Sequence, residues 1–232
     1  MELRKHIGKA VNKYRVLEGG CYYKGTYFLC FGNMTTRKTV IVKLKAGKEK
    51  RVLGVSKPLH VGHANDCCVR HGILYITHSG KSNRIHRVST ASLKKLEDIK
   101  VTGCKGGFNG ISCMGKGYIV KKMASRKCFV LNDKFQYKST IKLDKTYKVG
   151  QGITWHDGKL YRASSVRQST QNYITVYNSK GVVTHRYHIN EKCELEDVMF
   201  NRHGHLIASI YKKSHGKYEA YLKGGIDEYY QH

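Results

Sequence analysis

The stretch 150-GQGITWHDGKLYRASS-165 decides how this chain reads. Ile153 and Trp155 alternate with polar neighbours, Asp157-Gly158 follows, and a second apolar run opens at Leu160. An Asp-Gly pair between two alternating runs is a hairpin with a tight, positive-φ turn. The phrase returns as 18-EGGCYYKGTYFLCF-31, 65-NDCCVRHGILYITH-78, 109-NGISCMGKGYIVKK-122 and 196-EDVMFNRHGHLIAS-209. Each copy has a polar residue, then Gly or Asp, a short strand, a turn closing on Gly, and a second strand. The Gly/Asp positions 20, 66, 110, 152 and 197 are spaced by 46, 44, 42 and 45 residues. A period of about 40–50 residues with four short strands per unit predicts a β-propeller.

Five phrases predict five blades in one all-β domain over 1–232, at roughly 17–57, 63–102, 107–144, 149–190 and 194–223. The turns are expected at Lys24-Gly25, His71-Gly72, Lys116-Gly117, Asp157-Gly158 and His203-Gly204. Third strands are expected at 39–45, 84–90, 128–133, 173–178 and 217–223, and outer strands at 137–143 and 184–190. Residues 224–232 make a poor outer strand and read as a tail, so 8–16 is expected to complete the fifth blade and close the ring. Six blades would require a sixth phrase, and none is found.

Strands alternate direction within a blade, so the start of each innermost strand and the loop between the second and third strands share one face. The residues that open the phrases therefore converge on the axis. They are Glu18, Asn65, Asn109, Gln151 and Glu196, with His63 and Glu194 two residues upstream in two blades. Unlike polar groups around one mouth suit an asymmetric small ligand.

Charge sets the expected sign of that ligand. The chain carries 43 Lys and Arg against 16 acids, a formal +27. An excess of that size attracts polyanions and phosphorylated ligands. The same-face loops 32–38, 78–84, 121–127, 162–172 and 211–217 contain thirteen Lys and Arg and no acid. Expected phosphate-binding residues there are Arg37, Lys38, Lys81, Arg84, Lys121, Lys122, Arg126, Lys127, Arg162, Arg167, Lys212 and Lys213. Arginine binds phosphate bidentately, and lysine acts as a point charge. Acids such as Glu97, Asp98, Asp133 and Asp157 fall on the opposite face.

Other signals carry less. Gly110–Lys116 matches G-x-x-x-x-G-K, but Gly117 stands where Ser/Thr is required and no helix follows. His60/His63 and His203/His205 lack carboxylate or Cys partners in register. Eight cysteines without a C-x-x-C pair read as buried, reduced thiols. No apolar run approaches the roughly 18 residues a membrane helix needs, and 1–15 does not read as a signal peptide, so a cytoplasmic location without membrane contact is expected.

Three of the opening dipeptides, Glu18-Gly19, Asn65-Asp66 and Asn109-Gly110, resemble those of the propeller superfamily of NHL-repeat proteins and gluconolactonases (senescence-marker-like proteins). That resemblance implies a divalent cation on Glu18 and Asn109, with Asn65 near the substrate. Those enzymes have six blades and an aspartate third ligand where this chain has Gln151, a place Glu196 could take toward Ca²⁺. The leading expectation is non-catalytic capture of a phosphate-bearing small molecule, a nucleotide or cyclic nucleotide, with no cofactor. The alternatives are a metal-dependent hydrolase or lactonase using Glu18, Asn109 and Glu196, and an RNA/DNA-binding or assembly protein using the basic face.

Overall fold

A computed structural model describes residues 13–47, 51–78, 80, 82–122, 124–146, 149–214, 217–224 and 226. The first blade is β1 (Val16–Tyr23), β2 (Thr26–Asn33), β3 (Lys38–Lys45) and β4 (Val52–Val55). The second is β5 (Asp66–Arg70), β6 (Ile73–Thr77), β7 (Arg84–Ser89) and β8 (Lys95–Lys100). The third is β9 (Phe108–Met114), β10 (Gly117–Lys122), β11 (Lys127–Leu131) and β12 (Tyr137–Lys142). The fourth is β13 (Val149–His156), β14 (Lys159–Ser165), β15 (Asn172–Tyr177) and β16 (Val183–Ile189). The fifth shows three strands, β17 (Glu194–Phe200), β18 (Leu206–Ser214) and β19 (Lys217–Lys223). Every sheet is an antiparallel meander in chain order, and β1 lies beside both β5 and β17. The architecture is a five-bladed β-propeller.

The core sits between blades, not within them. Alternating apolar residues of neighbouring sheets interdigitate in five clusters, one at each blade interface. Leu17, Leu29 and Phe31 of blade one meet Met199, Ile207 and Leu222 of blade five, which closes the ring directly. The predicted outer strand at 8–16 lies largely outside the described residues; Lys13–Arg15 form no strand and Val16 already belongs to β1. Ile226, within the predicted tail, is fully buried in the cluster between blades four and five.

The hairpins obey the turn chemistry with one correction. Lys24-Gly25, His71-Gly72 and Asp157-Gly158 have positive φ at both residues, the primed turn that matches strand twist. In blade five only Gly204 is left-handed, closing a three-residue loop. In blade three the turn is Gly115-Lys116, one residue earlier than expected, with Gly115 at φ +52°. Gly117 begins β10 instead, where a β-carbon would stand 2.0 Å from Leu131 O.

Candidate functional site

Four of the five phrases open on a β-bulge, and the bulges aim the site. Glu18 falls between the pairs Leu17–Phe31 and Gly19–Cys30, and Glu196 between Leu195–Ile210 and Asp197–Ser209. Asn109 interrupts the β9–β10 register, and Gln151 with Gly152 interrupts β13–β14. An extra residue at a bulge turns its side chain out of the pleat. In blade two Asn65 precedes β5, after Ala64 at φ +46°. Glu18, Asn65, Gln151 and Glu196 thereby line one axial cavity of about 230 Å³, together with His63, Glu194 and Arg167.

Electrostatically this mouth is a carboxylate well. Glu18 is 3% exposed, and its Oε2 lies 2.5 Å from His63 Nδ1. The Glu18 partner raises the His63 pKa, while burial raises that of Glu18. Glu18 Oε1 is buried without a hydrogen-bond partner among the described residues. Glu194 approaches the largely exposed Arg167 at 3.7 Å. Burial, then the charges of Glu18 and Glu194, keep Glu196 protonated well above the usual carboxylate range.

Beside the well lies a cavity of about 380 Å³ of opposite character, lined by Lys13, Arg15 and Arg167 with Thr35. The two cavities share Val16, Met34, Arg167 and Tyr211. A third space of about 550 Å³ adjoins both, and Arg37, His63 and His78 line it. Met34, 59% exposed, borders all three.

The expected site residues separate accordingly. Asn109 does not reach the mouth: its Nδ2 donates to Gly150 O at 2.9 Å and its Oδ1 accepts from Lys121 Nζ at 3.1 Å. Lys121 and Arg162 are buried under the rim, 0% and 2% exposed, and so are not open-face cations. Burial, then Arg162, depresses the Lys121 pKa to about 7. Arg126 is spent on the carbonyls of Leu143 and Asp144 at the outer edge of blade three. Lys38, Arg84, Lys122, Lys127, Lys212 and Lys213 do not line the mouth or the basic cavity beside it, and Lys81 lies outside the described residues. Of the twelve, Arg37 and Arg167 line the connected cavities.

Sequence reasoning missed Lys13 and Arg15, which were assigned to an outer strand. It also missed the layer beneath the mouth. Asp66 Oδ2 accepts Ile111 N–H at 2.8 Å and Ile153 N–H at 2.9 Å, and its Oδ1 accepts Cys67 N–H at 2.6 Å. Asp197 accepts Gly20 N–H at 2.9 Å and Val198 N–H at 2.7 Å, and the two carboxyls are hydrogen-bonded to each other. Acids from blades two and five thus tie the innermost strands of blades one, three and four to the axis. The signal was present, because Asp stands in two phrases where the other three have Gly.

Lys121 offers a first test. Its depressed pKa means that the unfolded chain binds a proton the native state resists, so this group adds stability as pH rises from about 7 toward 10.5. Lys121→Met should remove that rise in a urea titration series. At pH 7 it should leave stability within about 1 kcal/mol, the lost Asn109 partner offsetting relief from burying an amine.

Comparison with known proteins bears on the fold. No protein-family profile and no curated protein matches the chain. Among solved structures it is similar to glutaminyl cyclase of Myxococcus xanthus, with a TM-score of 0.62 and 10% identity over 91% of this chain and 92% of that one. It is also similar to Kuenenia stuttgartiensis hydrazine synthase, at TM-score 0.50 and 15% identity over 86% of this chain and 56% of that one. A streptogramin B lyase matches at TM-score 0.49 and 14% identity, over 90% and 71%. The first two likenesses bear on the fold alone, and a shared fold does not carry a shared function.

Proposed function

We propose that the axial mouth binds a phosphate-bearing small molecule of the nucleotide class. One observation carries this reading: the carboxylate well opens directly into a cavity walled by Lys13, Arg15 and Arg167. A ligand matching both must present hydrogen-bond donors at one end and negative charge at the other. A nucleobase fits here with amino and ring N–H groups toward Glu18 and Glu194 and an acceptor toward the protonated Glu196. Asn65 and Gln151 serve either role, and Met34 supplies a soft apolar contact for the face of the base. Phosphates fit the arginines of the connected cavities, Arg15 and Arg167 in one and Arg37 in the next, which bind them bidentately. The carried-over metal set is less favoured, since Asn109 is engaged elsewhere and the described residues hold no metal-sized cluster of three His, Cys, Asp or Glu.

Isothermal titration with adenosine, guanosine and cyclic dinucleotide phosphates at physiological salt tests the reading. The double variant Arg15→Ala/Arg167→Ala should weaken the best ligand about 10–100-fold, the scale of two charge-assisted phosphate contacts. Equal affinity in the variant would remove the phosphate from that cavity. The log–log salt slope should be far shallower than the roughly −0.9 per neutralised phosphate of a duplex binder. A steep slope with long duplex DNA would favour the nucleic-acid alternative.

A further inference from the structure

The space adjoining the mouth contains histidines held in opposite roles. Asp98, expected on the far face, instead reaches His86 Nδ1 at 3.0 Å, and His86 Nε2 meets His78 Nδ1 at 3.1 Å. The Asp98 carboxylate can only accept, which orders the protons along the chain in one tautomer. Asp98 accepts from His86 Nδ1–H, so His86 Nε2 is an acceptor and His78 Nδ1 must donate to it. His78 Nε2 is then left with a lone pair, on a residue that lines the 550 Å³ cavity. His63 lines the same cavity, and its Nδ1 faces the Glu18 carboxylate, which favours the imidazolium and leaves Nε2–H as a donor. The two histidines are close in space: a β-carbon on Gly62, the residue before His63, would stand 3.0 Å from the His78 ring. Arg37 completes the lining with a cation.

We propose that this cavity cleaves a phosphodiester that has a neighbouring 2′-hydroxyl, as in a 3′,5′-linked ribonucleotide, with His78 as base, His63 as acid and Arg37 on the phosphate. His78 Nε2 takes the 2′-hydroxyl proton as O2′ bonds to phosphorus. The P–O5′ bond breaks, and His63 Nε2–H protonates the departing O5′. The products are a 2′,3′-cyclic phosphate and a free 5′-hydroxyl, with no change of oxidation state. Arg37 offsets the charge that gathers on the phosphoryl oxygens. This inference rests on the phosphate-ligand reading above, and it replaces the non-catalytic expectation with turnover. Environments that push two titratable groups apart are how one site supplies both acid and base. Burial lowers the His78 pKa from the ordinary 6.5, against a smaller opposing effect of Asp98. Glu18 and Glu194 help raise that of His63 against burial.

The test uses the intact protein with EDTA present, the dinucleoside monophosphate UpA, cyclic di-AMP, and the 2′-deoxy form of each. Binding is followed by calorimetry and products by chromatography. The expected result is a 2′,3′-cyclic phosphate from a ribonucleotide, while its 2′-deoxy form binds uncleaved. The kcat/KM profile should be bell-shaped, with an acid limb below pH 6.5 and an alkaline limb above it. His78→Gln and His63→Ala should each lower kcat about 100-fold or more. Asp98→Asn, a positioning change, should lower kcat and move the acid limb to lower pH. Binding of both forms without cleavage anywhere between about pH 5 and 8 overturns this inference and leaves ligand capture standing. Absence of binding by either form overturns both readings. Cleavage that persists in a folded His78→Gln protein also overturns the inference.

Discussion

Replacing Asp66 by alanine is expected to destabilise the fold by about 3–5 kcal/mol, lowering Tm on the order of 10 °C. The substitution strips the Ile111 and Ile153 amides of their acceptor at a fully buried axis. Each orphaned buried donor costs about 1–3 kcal/mol, and Asp197 loses its hydrogen-bonded partner as well. Asp197→Asn should behave differently. Burial, reinforced by the neighbouring Asp66, makes Asp197 the member of the pair that keeps a proton, and an amide imitates a protonated carboxyl. That variant should stay within about 1 kcal/mol of the parent. Calorimetric melting of both proteins checks the pair, and equal Tm for Asp66→Ala and the parent would dismiss the axial tie. Burial also raises the Asp66 pKa from 3.8 to about 7. The native state therefore holds a proton that the unfolded chain releases. This contribution is complete below about pH 4 and is lost as pH rises through about 7.

Gly152→Ala should be nearly as damaging, for a steric reason. A β-carbon there would stand 2.0 Å from Asp197 Oδ1 and 2.4 Å from its Cγ. Asp197 cannot swing away without giving up the Gly20 and Val198 amides and Asp66. Overpacking of a rigid site puts the loss at about 3 kcal/mol. Adding Asp197→Ala removes the clashing atoms, so the double variant should be more stable than the two single losses predict. A coupling of about 1 kcal/mol or more in a double-mutant cycle checks this, and strict additivity would show that the contact is absent.

The two axial predictions also explain the alternation in the repeated phrase. At the second position, Gly152 leaves the space into which Asp197 projects, Gly110 lies against Asp66, and Gly20 gives its amide to Asp197 while packing against Leu29 and Met199. A β-carbon on Gly110 would lie 3.5 Å from Asp66 Oδ2. Three small residues and two acids are one device spread over five blades. The first position of the phrase serves the ligand mouth, except in blade three, where Asn109 braces the neighbouring strand through Gly150 O.

Sequence alone determined the blade number and the order of the strands within each blade. These depend on local physics repeated five times: alternation sets which side chains are buried, and Gly or Asp-Gly sets where the chain reverses. Third strands predicted at 39–45, 84–90 and 173–178 match β3, β7 and β15 to within a residue or so at each end. What only tertiary structure decided was the direction and burial of individual polar groups. Lys121 and Lys122 are adjacent in a basic loop, yet strand alternation sinks the first beneath the rim and leaves the second half-buried. Asp98 and His86 sit on neighbouring strands, and His78 joins them only because β6 and β7 pair. Net charge had pointed to a cationic mouth, but its centre is acidic. Composition counts charges without placing them, and bulges at Glu18 and Glu196 turn carboxylates inward while the cations remain around the edge.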